Sequence, residues 1–141
     1  MKIKNAQSNQ SLEACLPILL QLRPHLTIKK IKSQIKAQQK NYGYQIFFLE
    51  VDKKVKAVIG CRITHFLAWG KVLYIDDLIT DSESKQNGYG GALLDWAIEK
   101  AKSEKCDQLH LDSGYQRNDA HRLYLNKKMI IGCHHFYKEL K

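Results

Sequence analysis

The sequence predicts a mixed α/β fold (α/β or α+β) around one mixed β-sheet, and two kinds of pattern support this prediction. Runs rich in β-branched and aromatic residues, such as YQIFFLEV and VKAVIGCRITHFLAW, are typical of partly buried strands. Apolar residues at helical spacing predict a helix from about Gly88 to Glu104, after a further strand, KVLYIDDLIT. Because strands and helices follow one another closely, we expect them to pack as layers around one core.

The first half of the chain predicts a short strand, two helices and a β-hairpin. The strand lies near Lys2 to Ala6, and the first helical pattern ends at Arg23-Pro24. Thr27 has the side chain of an N-cap for the second helix, which carries many lysines on its polar surface. Asp52-Lys53-Lys54 separates the two strand-like runs and predicts the turn of the hairpin.

The last third of the chain predicts a strand, a helix and a closing β segment. DQLHLDS alternates between polar and apolar residues as a short strand does, and NDAHRLYLNKK predicts a helix with Asn118 or Asp119 near its N-cap. MIIGCHHFYKEL predicts a β segment interrupted by Gly132.

Composition limits the class of protein. A length of 141 residues suits a single domain spanning residues 1–141, and no apolar run approaches the ~20 residues of a membrane span. With no recognisable leader cleavage site, a cytoplasmic location is expected. The cysteines and histidines show no metal-ligand spacing, so no metal is expected. The net charge of +9 favours an anionic partner.

A glycine turn, Gly88-Tyr89-Gly90-Gly91, joins a strand to a helix. The first NH groups of a helix lack intrahelical partners and carry a partial positive charge, so this arrangement can bind phosphate. Leu93 stands where a dinucleotide-binding fingerprint has its third glycine, and no Gly-Lys-Ser/Thr follows the turn, which excludes both common nucleotide loops. Close packing of the glycines against a neighbouring element is the alternative.

The stretch SKQNGYGGALL resembles the acyl-CoA-binding loop of the GNAT superfamily of N-acetyltransferases. That loop has Arg or Gln, two variable residues, Gly, one variable residue, then Gly or Ala. Lys85, Gly88 and Gly90 occupy the defining positions, with a lysine that keeps the positive charge. The resemblance continues from Tyr74 through RNDAHRLYLNKKMI, about half of the chain, whereas the first 70 residues fit only in the order of elements.

The resemblance implies one GNAT-like domain whose mostly antiparallel, twisted sheet is splayed in the middle to hold acyl-CoA. It also implies a set of groups that bind acetyl-CoA: backbone NH groups of the glycine turn for the pyrophosphate, backbone groups of the preceding strand for the pantetheine arm, and polar side chains beside them. These residues are Leu78, Ile79, Thr80, Lys85, Gln86, Asn87, Gly88, Tyr89, Gly90, Gly91 and Asn118.

The resemblance further implies direct attack of an amine on the thioester, with Tyr124 as the general acid that protonates the departing thiolate and as a further cofactor contact. By its helical position alone Tyr124 would be read as a core aromatic. Asp76 or Asp77 is the candidate general base. Because neighbouring strand residues point to opposite faces, at most one of them is expected to serve.

Two readings of function remain open at this point. The first is an acetyl-CoA-dependent N-acetyltransferase acting on a primary amine of a small molecule, protein or peptide. The second is a non-catalytic module of the same fold that binds acyl-CoA, or that uses the basic helix from Thr27 to Lys40 for contact with RNA or protein. Nucleic acid is the less favoured partner, because that helix lacks the interleaved aromatic residues of an RNA platform. A homodimer is a further possibility, and no membrane partner is expected.

Overall fold

The computed structural model describes residues 1–141, which form two compact units. The first unit comprises Met1–Leu111 and contains the whole sheet, and the second comprises Asp112–Lys141.

The sheet has five strands in the order β1-β2-β3-β4-β5. Its first three pairings are antiparallel, whereas β4 and β5 run parallel, so the predicted mixed, mostly antiparallel sheet is confirmed. The hairpin between β2 and β3 turns at Asp52 and Lys53, which both have positive φ as a two-residue type I′ turn requires. The strands are β1 (Lys2–Asn5), β2 (Gln45–Val51), β3 (Lys54–Phe66), β4 (Gly70–Thr80) and β5 (Gln108–Leu111).

Three helices belong to the first unit: α1 (Asn9–Leu22), α2 (Ile28–Asn41) and α3 (Tyr89–Ser103). The predicted N-cap Thr27 is confirmed, since its side-chain oxygen accepts a hydrogen bond from the Lys30 amide at 3.2 Å. A single turn of 3₁₀-helix, Ser82–Ser84, lies between β4 and α3.

The helices cover both faces of the sheet. On one face the apolar side chains of α1 and α2, among them Leu16 and Ile35, pack in a buried cluster with Phe48 of β2. The neighbouring Phe47 points to the opposite face, as strand alternation requires, and its ring lies 4.4 Å from that of Trp96 in α3. Nearly every residue in the middle of β3 is therefore buried, because helices cover both its faces.

The second unit contains one helix, α4 (Asn118–Asn126), in the segment where the sequence predicts it. The predicted closing β segment MIIGCHHFYKEL is wrong, because these residues pair with no strand. Ile130 and Phe136 are 89% and 90% exposed. A β-type composition does not by itself produce a strand, since a strand also needs a hydrogen-bonded neighbour.

The burial of Leu16 predicts a large effect on stability. Leu16→Ala is expected to lower the free energy of unfolding by about 2–5 kcal/mol, because it removes an almost fully buried side chain and leaves a cavity. Gln10→Ala on the exposed side of the same helix is the control and should change it by less than about 0.5 kcal/mol. Urea unfolding followed by circular dichroism measures both, and equal effects would contradict the assignment of Leu16 to the core.

Candidate functional site

The N-terminus of α3 is an open helix end. Its N-cap is Gly88, in the left-handed conformation with φ of 77°, and no side chain caps the first turn. The first intrahelical hydrogen bond runs from the Ala92 amide to the Gly88 carbonyl. The amides before Ala92 are thus available at the positive end of the helix dipole, as a bound anion requires.

The turn before this helix holds its own shape. The side-chain amide of Asn87 donates to the carbonyls of Ser84 and Lys85 at 3.0 and 3.3 Å. Gln86 also has positive φ, at 68°, so the chain bends sharply on both sides of Asn87. Lys85 to Gly88 are exposed, and Tyr89, Gly90 and Gly91 are half-buried. The side chain of Asn87 is therefore used to stabilise the turn. The backbone amides of the turn and the positive charge of Lys85 remain available to bind a ligand.

Strand β4, which leads to this turn, loses one neighbour halfway along its length. Its parallel pairing with β5 ends at Ile75, opposite Leu111, whereas its pairing with β3 continues to Thr80. From Asp76 to Thr80, which includes Leu78 and Ile79, no strand of the sheet pairs with the other edge of β4. Backbone groups on such an edge can pair with an extended ligand, as they would with another strand.

A β-bulge lies where the strands separate. Gly60 of β3 pairs with Asp77 and Cys61 pairs with Ile75, so Asp76 is an extra residue in β4. An extra residue breaks strand alternation, which places the carboxylates of Asp76 and Asp77 on the same face, towards Tyr44. The expectation that these aspartates point to opposite faces is wrong, because that rule holds only for a regular strand.

Asp76 is held by a bidentate ion pair. Its two carboxylate oxygens accept from Nε and Nη2 of Arg62 at 3.0 and 2.7 Å, and Arg62 also donates to Gln38 of α2. Burial raises the pKa of Asp76, and the hydrogen bond and charge of Arg62 oppose that rise.

Asp77 is held by two partners from different elements. Arg23, the C-cap of α1, donates from Nε to Oδ1 at 3.0 Å, and the Tyr44 hydroxyl donates to Oδ2 at 2.6 Å. Burial, followed by the negative charge of Asp77, raises the pKa of Tyr44 well above its ordinary value. The Tyr44 hydroxyl therefore stays protonated and acts as a hydrogen-bond donor.

Sequence reasoning missed the partners of these aspartates: Arg23, Tyr44 and Arg62. One signal was present, since a glycine inside a strand, here Gly60, often marks a bulge or a close approach of another group. A Cβ on Gly60 would lie 1.9 Å from the Tyr44 hydroxyl oxygen, so only glycine leaves room for Tyr44 to reach Asp77.

The remaining predicted site residues lie in the second unit. Asn118 is the first residue of α4 and is exposed, and the N-cap before it is Arg117, which makes no side-chain hydrogen bond to the helix. Tyr124, in the last part of α4, is half-buried. Burial raises the pKa of Tyr124, and the positive charge of Arg117 opposes that rise. A phenol in this state remains a proton donor at neutral pH.

No group of three or more His, Cys, Asp or Glu side chains is arranged to hold a metal ion. No helix combines the length and the apolar composition needed to cross a bilayer.

Comparison of the sequence with known proteins gives a consistent family. A sequence model described as the acetyltransferase (GNAT) family matches residues 12–129. The chain is 31% identical over 125 residues to an uncharacterized N-acetyltransferase, YhdJ, of Bacillus subtilis, which covers 89% of this chain and 88% of that protein.

Solved structures of low sequence identity share the fold. A putative acetyltransferase from Agrobacterium tumefaciens superposes with a TM-score of 0.82 at 22% identity, covering 99% of both chains. The structure of AAC(6')-Iy in complex with a bisubstrate analogue, CoA-S-monomethyl-acetylneamine, superposes with a TM-score of 0.83 at 12% identity, covering 98% of this chain and 97% of that one. The splayed α/β sheet is thus the fold of known acetyltransferases.

The left-handed backbone of Gly88 predicts how much a substitution there lowers the stability of the protein. Gly88→Ala is expected to lower the free energy of unfolding by about 1–2 kcal/mol, because a side chain disfavours left-handed backbone. The matched control is Gly43→Ala, since Gly43 has φ of 68° and, as at Gly88, an added Cβ would meet no atom within 4 Å. Thermal unfolding should give similar losses for both. A much larger loss at Gly88 would mean that the turn is a packing feature.

Proposed function

The chain belongs to the acetyltransferase (GNAT) family, and we propose that it transfers an acetyl group from acetyl-CoA to a primary amine of a small molecule, protein or peptide. The observation that carries the proposal is the adjacency of an uncapped helix N-terminus and a strand with one open edge, both in the first unit. An anionic head and an extended amide-bearing arm, as in coenzyme A, match these two features in order.

The proposed donor site uses backbone groups more than side chains. Amides of Gln86, Gly88, Gly90 and Gly91 bind the pyrophosphate, and Lys85 adds a positive charge at the rim. Backbone groups of β4 near Leu78, Ile79 and Thr80 pair with the pantetheine arm and polarise the thioester carbonyl. Asn87 and Tyr89 lie beside the pyrophosphate, and Asn118 contacts the cofactor arm.

The proposed reaction is a direct transfer. The neutral amine nitrogen attacks the thioester carbonyl, a C–N bond forms, and the C–S bond breaks. The nitrogen loses its proton to a base, for which Asp76 and Asp77 are the candidates, and the departing thiolate gains one from Tyr124. No covalent enzyme intermediate and no metal are needed, because the thioester is already activated.

The proposed domain spans both compact units, since the family match at residues 12–129 extends across them. We also propose that the protein is located in the cytoplasm and that it can form a homodimer. The acceptor is expected on the side of α1 and α2. A net charge of +9 would attract the polyanionic donor and favour acceptors that are not strongly cationic.

The basic helix α2 supports this proposal over an RNA-binding role. Ile31 and Ile35 bury its apolar stripe, and Lys32 forms an ion pair with Glu13 of α1. The remaining lysines of α2 face the solvent, and the opposite, apolar side of the helix forms part of the core. Acetyl-CoA binding without turnover of any amine would favour the non-catalytic alternative.

The glycine turn predicts a selective loss of donor binding. Gly88→Ala should weaken acetyl-CoA binding by about tenfold or more, because a displaced amide no longer faces the pyrophosphate. Gly43→Ala, with the same backbone requirement away from the turn, should bind as the wild type does. Isothermal titration calorimetry measures both affinities. If the wild type bound no acetyl-CoA, or both variants bound equally well, the proposed donor site would be wrong.

The phenol of Tyr124 predicts a loss of rate without a loss of binding. Tyr124→Phe should bind acetyl-CoA normally and release thiol roughly 100- to 10,000-fold more slowly with an amine acceptor. Because the pKa of Tyr124 is raised, its acid form persists, and the wild-type rate should show no fall due to this group below about pH 10.

Thiol release in the presence of a panel of amines checks the role of Tyr124. Tyr115→Phe is the control, since Tyr115 is a tyrosine of the same unit that is 88% exposed. A wild-type rate in Tyr124→Phe would remove Tyr124 from the mechanism.

A further inference from the structure

The bulge in β4 leaves a backbone carbonyl that Arg23 satisfies. The extra residue of a bulge falls outside the regular hydrogen-bond ladder, and here that residue is Asp76. Nη2 of Arg23 donates to the Asp76 carbonyl at 3.0 Å, while Nε donates to the Asp77 carboxylate. A single guanidinium from the end of α1 therefore holds two successive residues of β4 at the point where the strand loses its second neighbour.

Both oxygens of the Asp77 carboxylate accept hydrogen bonds in this arrangement. Oδ1 accepts from Arg23, and Oδ2 accepts from Tyr44, whose side chain is only 4% exposed. Tyr44 reaches it by lying across Gly60, the residue that pairs with Asp77 in β3. Three parts of the chain thus converge on one aspartate: the C-cap of α1, the residue before β2, and β3.

We propose that Arg23, Tyr44 and Asp77, here termed the β4 brace, hold the bulge in the shape that the open edge of β4 requires, and that Asp77 is a positioning residue, not the proton acceptor. The inference rests on the proposed acetyl transfer and narrows its chemistry. It leaves the role of proton acceptor to Asp76, whose carboxylate is bound by a single residue, Arg62.

Chemistry favours this division of roles. A general base must free a lone pair for the substrate proton. Asp77 would have to release donors from two separate parts of the fold, Arg23 and Tyr44, whereas the carboxylate of Asp76 is bound by one residue, Arg62. Ionised Asp77 also balances the charge of Arg23, so protonating it would leave a half-buried guanidinium without its partner. The β4 brace therefore depends on an ionised Asp77.

A double-mutant cycle with Arg23→Met and Asp77→Asn separates the two roles. Arg23→Met leaves the Asp77 carboxylate without its cation, and we expect kcat/KM for acetyl-CoA to fall by about 10- to 100-fold. The added Asp77→Asn removes the stranded charge, so the double variant should recover at least about threefold over Arg23→Met. Lys29→Met, at an exposed basic residue of α2, is the control and should match the wild type.

The pH profile is the readout that a proton acceptor would change. For a positioning residue, Asp77→Asn and Tyr44→Phe lower kcat/KM but keep an acidic limb. In Asp77→Asn that limb should move to lower pH, because burial and the negative charge of Asp77 both raise the pKa of Asp76 and the variant removes that charge. Tyr42→Phe, at a tyrosine that is 65% exposed, is the control. The proposal is overturned if Asp77→Asn abolishes the acidic limb, or if the double variant is as inactive as Asp77→Asn with a loss above about 100-fold.

Amide hydrogen exchange tests the brace without any substrate. Exchange at residues 76–80 should be faster in Arg23→Met and Tyr44→Phe than in the wild type and the two controls, because the bulge opens more often. Unchanged exchange would overturn the brace. If the wild type bound no acetyl-CoA, the proposed function would fail by itself, and the exchange data would still decide whether these residues hold β4.

Discussion

The loss of one neighbour by β4 is the constraint on which the rest of the site depends. Up to Ile75 the strand is paired on both sides, and beyond that residue only β3 remains. A strand with an open edge would ordinarily be a liability, since its backbone groups invite pairing with other chains. Here the same five residues are followed, after one turn of 3₁₀-helix, by the turn at the uncapped N-terminus of α3. The open edge and the helix end, at Thr80 and Gly88, are therefore only eight residues apart in the chain.

The bulge explains how the sheet produces that opening. An extra residue increases the local bend and twist of a strand, which turns the end of β4 away from the line of β5. The bend takes the carbonyl of Asp76 out of the strand ladder and places two carboxylates on one face. Arg23 donates to that carbonyl, Arg62 donates to the carboxylate of Asp76, and Tyr44 donates to the carboxylate of Asp77. The glycine in the partner strand, Gly60, leaves room for Tyr44. The cluster is therefore charge-balanced, with two arginines beside two aspartates.

This arrangement connects the two sides of the proposed reaction. Arg23 lies at the end of α1, in the part of the chain expected to form the acceptor side, and its guanidinium contacts the strand expected to hold the donor. A movement of the α1–α2 connection would therefore be transmitted to β4 through the two hydrogen bonds of Arg23. Family membership and the acetyltransferase fold make acetyl transfer the natural use of such a strand.

The sequence by itself determined the elements whose signals are local. Helical periodicity, the Thr27 cap, the β2–β3 turn and the glycine turn were all readable, because each depends on residues close together in the chain. Only the tertiary structure decided the environment of Asp76 and Asp77, whose partners Arg23 and Tyr44 are 54 and 33 residues distant from Asp77. It also decided that MIIGCHHFYKEL forms no strand. Strand pairing, bulges and ion pairs depend on which segments meet in space, and residue patterns along one segment do not contain that information.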